Sequence, residues 1–592
     1  MNGSALLIGT EPSAAPRSRG KEAGSDSAIP PSRLTNIGRL LEWMAASLLA
    51  LAAIALHIRF VTHVGALWRD ETNSVNIATL PSLAEVWHFL DYDSFPILYF
   101  AVLRAWTGVF GSGNDQALRA LGLLMGLGIL GALWSNARAF GSRLPLLSFA
   151  LVGLNPMVVR YGDSNRAYGL GILLILLTLR SFWRLVESAE TPTARRIAVS
   201  AVLAVLSVQC LYYNAVLLLA VAAGAAAVAL RTKAWRTIGI IFGIGILAAV
   251  SLLPYAPIII RMRAWTFMVS YPATLGWLWK RAGEVMGSPD PYAVWLWIGL
   301  IVVGLGVAVA TGISALYRRD PRANAESQGS SGGLPGPVLF AGVTLVVGVV
   351  AYTVFLRVLN YYTQPWYYIA LVAFIACVLD ILFAGWPTNG KRIFPGEALR
   401  WLRPLVALLL LCFTLPGAWS EMPTRQTNVD LIAAQFEKTS QKGDVILVPR
   451  WECAITFCRY YQGEAEIITI PPIADHRFHR YDLILEQTRN ADAYQPVLDR
   501  MEQALRSGHR VLLVDTLPVP DPSVKIPVAY APYRDAKGAW HGSPYNEIWK
   551  AHAGRFLSAH TKRGANIEVL RPSGIKVQRF EELAPGVVEG WQ

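Results

Sequence analysis

Apolar positions gather into long runs separated by short polar stretches, at about 39–61, 118–137, 144–160, 168–186, 197–213, 214–230, 237–258, 292–316, 337–356, 365–385 and 403–419. Several exceed the ~18 consecutive apolar residues that mark a membrane-crossing helix. The pattern predicts a polytopic α-helical membrane protein with about eleven transmembrane helices. From about residue 420 the pattern changes. "DVILVP" and "RVLLVD" read as buried strands, "QPVLDRMEQALRSGH" as an amphipathic helix between them, and "NIEVLRP" and "IKVQRFE" as further strands. That alternation predicts a small C-terminal α/β domain over 421–592, behind a membrane domain over 37–420.

The basic residues orient the helices. Lys and Arg collect on the cytoplasmic side of membrane proteins. With residues 1–36 inside, the inner loops carry Arg138 and Arg143; Arg195 and Arg196; Arg231, Lys233 and Arg236; Arg318, Arg319 and Arg322; and Lys391, Arg392 and Arg400. Two conditions follow. The run 198–230 must be two short helices with a turn near Tyr212, Tyr213 and Asn214. The run "PILYFAVLRAWTGVF" (96–110) must lie on the membrane surface, which also suits Arg104 at its centre. Residues 62–117 then form one long outer loop, and the C-terminal domain is outside (periplasmic) by parity. Residues 1–36, rich in Ser, Pro, Ala and Gly, are expected to be disordered. No apolar run starts near Met1, so the first spanning helix is expected to serve as the insertion signal.

Composition agrees: 54% of the 592 residues are hydrophobic and only 16% charged, against roughly 25% charged in soluble domains. The net charge of +13 is not a nucleic-acid signature, because the cations sit in short loops between apolar runs. Cys453 and Cys458 could pair outside the cytoplasm if a turn brings them together.

Four polar clusters fall on the outer side. "LWRDETNSVNIA" (67–78) sets Asp70 and Glu71 side by side just after the first helix. "DYDSFP" (91–96) carries Asp91 and Asp93, and "DQALRALG" carries Arg119. "RYGDSNRAYG" (160–169) carries Arg160, Asp163, Arg166 and Tyr168. Ionisable groups at membrane depth are costly, so several on one face suggest a shared polar cavity; Asp91 and Arg160 read equally well as ordinary loop residues. A carboxylate there can take a proton from an acceptor hydroxyl, and arginines can hold phosphate in a fork of donors. The set fits a transferase that cleaves a lipid-phosphate-linked group and passes it to an acceptor outside.

The order "WRDE", "D.SFPILYF", "FGSGND…LR", then "R.Y" at 166–168 resembles the GT-C glycosyltransferases. It is most similar to the bacterial branch of the dolichyl-phosphate-mannose protein mannosyltransferase family, which includes the aminoarabinose lipid A transferases. The resemblance covers roughly 40–420 and is firmest over 65–170. It implies a polyprenyl-phosphate sugar donor, an envelope acceptor (lipid, glycan or protein), and an inverting single displacement at the periplasmic face of the bacterial inner membrane. By it Asp70 is the base and Glu71 its neighbour, and Asp93, Arg119, Arg166 and Tyr168 match its polar motifs and are expected to bind substrate; Asp163, from the same polar cluster, is expected to bind substrate with them. Two departures stand out. The second element reads Phe95-Pro96 instead of a double Pro. The late loop "LRVLNYYTQPWYY" (356–368) has Asn360 or Tyr361 where an Arg is expected, with Arg357 as the substitute. Arg261, Arg263, Lys280 and Arg281 in loop 259–291 are further cations that could meet a donor phosphate or anionic headgroups.

Other signals carry less. "GLGILG" (126–131) lies within a spanning helix and reads as small-residue packing, not a dinucleotide loop. "HRFH" (476–479) is a lone His pair, too little for zinc. No cofactor and no metal are expected. A lipid-linked-glycan transporter would place its charges inside the spanning helices, and a scaffold would not need so many helices.

Overall fold

A computed structural model describes residues 33–141, 144–188, 191–262, 273–317, 336–384, 396–528, 543–572 and 575–592. The tail up to residue 32, the basic residues Arg143, Arg263, Arg318, Arg319, Arg322, Lys391 and Arg392, and the loop 318–335 lie outside the described residues.

Among the described residues eight helices are long and apolar enough to cross a membrane: Ile37–His63, Asp115–Ala139, Ala167–Val186, Asn214–Arg231, Trp235–Met262, Ala293–Thr311, Gly336–Leu359 and Arg403–Glu421. Their outer faces leave large apolar side chains exposed, among them Leu51, Phe242, Val302 and Phe413. Such faces are stable against lipid and not against water. The chain is thus a polytopic helical membrane protein. The other three expected spans are shorter or broken helices. The 144–160 run splits into Leu146–Ser148, a π-turn Phe149–Gly153, and Pro156–Gly162. Pro156 lacks the N–H that would continue a helix, and Asn155 caps the restart by accepting from Met157 N at 2.9 Å and Val158 N at 3.1 Å. The run 198–230 divides as expected, into Ala194–Cys210 and Asn214–Arg231. Ile369–Ala384 is buried almost throughout, so its all-round apolar sequence reflects protein neighbours.

The segment between the first two long apolar helices folds into helices Arg69–Ala78, Leu83–Phe89 and Ile97–Phe110. The last has 14 residues, a rise of about 21 Å, short of the ~30 Å hydrocarbon core. Its Arg104 donates to the carbonyls of Ala78 at 3.1 Å and Pro81 at 2.9 Å, and to that of Leu80. The cation thus satisfies the carbonyl end of the helix that carries Asp70.

After Glu421 the chain forms β1 (Val445–Val448), β2 (Glu466–Thr469), β3 (Val511–Leu513), β4 (Thr561–Asn566) and β5 (Gly586–Trp591), in the order β2-β1-β3-β5-β4. β1 pairs in parallel with β2 and β3, with Val445 opposite Glu466 and Val511; β5 is antiparallel to β3 and β4. Helix Gln495–Arg506 returns the chain from β2 to β3, as its amphipathic pattern predicts. The strands expected at 566–572 and 575–581 do not form. Ile567 and Val569 pack on the domain core from irregular chain, and Val577 makes a single bridge to Arg425. The edge strand β4, "TKRGAN", is polar and mostly exposed, so no apolar alternation announces it.

Candidate functional site

The segment 64–114 and the helix ends beside it bring the four polar clusters together. Glu71 is fully buried. Arg119 grips it with both terminal nitrogens, Nη2 donating to Oε2 at 2.9 Å and Nη1 to Oε1. Asn165 N also donates to Oε1 at 2.8 Å and Trp68 N to Oε2 at 3.2 Å. The last contact is the reach-back arm of a capping box, set by Glu71 at the third helical position. With both oxygens engaged, Glu71 holds the loop and helix 115–139 together. Arg119 Nη2 also donates to Ala66 O at 2.9 Å, so little of its guanidinium is left for a ligand.

Arg166 and Asp93 form a second two-toothed pair, at 2.6 and 2.9 Å. Arg166 further donates to Ser74 Oγ at 2.7 Å and to the carbonyl of Asp70 at 3.0 Å, and lies 4.4 Å above the Phe95 ring. Phe95 occupies the first place of the expected double Pro, and its ring is the surface on which Arg166 stacks. Tyr168 meets the same ring edge-on. Asp163 binds His57 Nδ1 of the first spanning helix at 2.6 Å. Gly122 and Gly126, the latter opening "GLGILG", make room for this turn; a Cβ on either would collide with Asp163. Asp91 pairs with Arg261 at 2.6 and 2.9 Å. Arg160 donates to the carbonyls of Thr424 at 2.8 Å and Glu421 at 2.9 Å, tying down the start of the C-terminal region. Arg357 is exposed on the last turn of Gly336–Leu359. Asn360 takes a left-handed φ of 48°, which Asn tolerates better than most residues. Tyr361 then stands within electrostatic reach of Asp70, Arg166 and Asp93.

Asp70 differs from its neighbours. Its side chain is 19% exposed, whereas the side chains of Glu71, Asp93 and Asp163 are sealed. Arg69 Nε lies 3.4 Å and His479 Nε2 3.3 Å from Oδ1. Burial works to raise its pKa, but His479, Arg166 and Arg69 outweigh it and hold the carboxyl well below its usual range. Asp70 is therefore an anion with one open side.

The C-terminal region supplies a lid that local sequence patterns do not announce. Arg69 Nη1 binds Glu452 at 3.0 Å, and Arg69 Nε lies 3.3 Å from the fully buried Glu581. Desolvation, offset in part by Arg69, pushes Glu581 up to about 7. Arg459 binds Asp115 at 2.7 Å, and Tyr460 accepts from Leu67 N at 2.9 Å. An aromatic wall of Trp68, Tyr161, Trp366 and Phe580 lies beside the cluster, with ring centroids 4.9–6.4 Å apart. His479, the second His of "HRFH", meets a carboxylate. The sulfurs of Cys453 and Cys458 are unpaired. Among the described residues no three His, Cys, Asp or Glu side chains converge as a metal site.

No family model and no curated protein matches the sequence. Solved structures of similar course include ArnT from Cupriavidus metallidurans bound to undecaprenyl phosphate, at 12% identity and TM-score 0.43 over 80% of this chain and 93% of that one. The same ArnT in the apo state gives 13% and 0.45, over 81% and 93%. The Archaeoglobus fulgidus oligosaccharyltransferase in complex with Zn and sulfate gives 12% and 0.42, over 79% and 67%. At these scores and identities the likeness assigns neither residues nor activity.

Proposed function

We propose that this chain is an inverting glycosyltransferase of the GT-C kind. It moves one monosaccharide from a polyprenyl-phosphate lipid to an envelope acceptor at the outer face of the membrane. The observation that carries the reading is Asp70: an ionised, partly open carboxylate at the centre of a cluster in which Glu71, Asp93 and Asp163 are each held by a fixed partner. The acceptor hydroxyl oxygen attacks the anomeric carbon, its proton goes to Asp70, and the bond to the phosphate oxygen breaks with its electron pair leaving on the phosphate. A carboxyl held this low is a weak base, but the negative phosphate of a bound donor moves it toward the working range.

Glu71 then has a positioning role, and so do Arg119, Asp163 and Arg166, which hold the loop around Asp70. The donor phosphate falls to Lys280 and Arg281 of helix Leu275–Met286 and to Arg357. Arg281 already lies 4.2 Å over Trp277 and donates to Glu284 at 2.8 Å. In this reading residues 421–592 form the lid on the outer side and residues 1–36 are cytoplasmic. The test compares a strain lacking the gene with the same strain complemented, by mass spectrometry of envelope glycans and polyprenyl-phosphate sugars. The expected result is one glycan short of one sugar, with the matching lipid-linked sugar accumulating. Identical profiles would overturn the proposal.

A further inference from the structure

His479 is placed by more contacts than docking requires. Its loop lies along helix Arg69–Ala78: His479 N donates to Asn73 Oδ1 at 3.1 Å, and Asn76 Nδ2 donates to Arg477 O at 2.8 Å. Phe478 packs on Phe89, 4.7 Å between ring centroids, and Tyr92 donates to Asp482 at 3.1 Å. These contacts would seat the loop whatever residue stood at 479. The imidazole is nevertheless buried between Trp451, edge-on at 6.4 Å, and Tyr481, stacked at 5.8 Å and 19°. Its Nε2 lies 3.3 Å from Asp70 Oδ1, and its buried Nδ1 has no hydrogen-bond partner. With Nδ1 unpartnered, Nε2 is the ring nitrogen placed to donate to Oδ1.

We propose that His479 is the positioning residue of Asp70: its Nε2–H holds Oδ1, which fixes the carboxylate plane and leaves Oδ2 for the acceptor hydroxyl. The C-terminal region is then part of the active site, because the orientation of the base comes from it. This rests on the reading of Asp70 as the base. The charged and titratable groups around the pair are Arg69 of the same helix, Tyr161, Arg166 and Tyr168 of the 160–169 turn, Tyr361 of the late loop, and Glu452, Tyr481 and Glu581 of the lid.

The experiment uses the full chain in lipid nanodiscs. Dicyclohexylcarbodiimide, which modifies protonated carboxyls, is applied across pH and labelling of Asp70 is read by mass spectrometry. The wild type is expected to resist labelling at mildly acidic pH. His479→Phe and His479→Asn, which lack a donor within reach, are expected to label about tenfold more at the same pH, the ratio for one pKa unit. His479→Gln keeps a donor and is expected to stay near wild type. In the gene-deletion strain His479→Gln should restore the missing sugar, and His479→Asn should not. If His479→Phe does not fold, His479→Asn decides alone. Labelling and restoration by His479→Asn equal to wild type would overturn the proposal. Asp70→Asn, run beside it, separates the two readings. An inactive Asp70→Asn with a fully active His479→Asn removes only the role of His479, whereas an active Asp70→Asn removes the base and the positioning role together.

Discussion

Arg119 Nη2 donates to Glu71 Oε2 at 2.9 Å inside the protein, one residue along from a carboxylate that stays open. Adjacent acidic residues thus have opposite fates. On a helix they point about 100° apart, so Glu71 turns into the seam with helix 115–139 while Asp70 turns toward the lid. Glu71→Ala or Arg119→Ala strands a buried charge and should cost about 3–5 kcal/mol. Thermal unfolding in detergent checks this, and the double change Glu71→Met with Arg119→Leu should recover part of the loss.

Gly122 and Gly126 leave the space that Asp163 and His57 fill. Gly126→Ala should destabilise by about 1–3 kcal/mol, the usual range for overpacking a filled site. Gly131, with open space around it, is the control, and Gly131→Ala should be neutral or stabilising in the same assay.

Glu581 gives the fold a pH dependence. Its folded pKa of about 7 lies above the ordinary 4.5, so between those values the folded state keeps a proton that the unfolded chain has lost. Stability contributed by this group therefore falls as pH rises from about 4.5 to about 7, on the order of 3 kcal/mol in all. Glu581→Gln should flatten that slope and leave the protein more stable than wild type above pH 7, as read by thermal unfolding from pH 5 to 8.

The helices were legible because each exposes an apolar face to lipid or buries one, and both produce runs. The turn at Tyr212 was legible from the side on which arginines must emerge, and 97–110 forms a helix too short to be counted with the long spans. Clustering of Asp70, Asp93, Arg119 and Arg166 was legible from their common face. What each arginine binds was not, because Arg119 and Arg166 look alike in sequence whether they hold phosphate or a buried carboxylate. The lid residues were not legible either. His479, Glu452 and Glu581 reach Arg69 and Asp70 across nearly four hundred positions or more, and nothing local marks such a meeting. The two C-terminal strands were misplaced because β4 is a polar edge.

If Lys280, Arg281 and Arg357 hold the donor phosphate, replacing each by Ala should raise KM for the lipid donor about tenfold or more, the loss expected for a charged hydrogen bond. kcat should fall as well, because the phosphate gains charge as its bond to the sugar breaks and the contact strengthens in the transition state. Unchanged KM and kcat would place these residues away from the donor phosphate.

The most direct measurement replaces Asp70 by Asn in the gene-deletion strain and reads envelope glycans and polyprenyl-phosphate sugars by mass spectrometry at matched protein levels. Removing a general base costs about 10²–10⁴-fold in rate. The account predicts a folded protein in the membrane with the glycan still one sugar short and the lipid-linked sugar accumulated. A profile identical to wild type would contradict it.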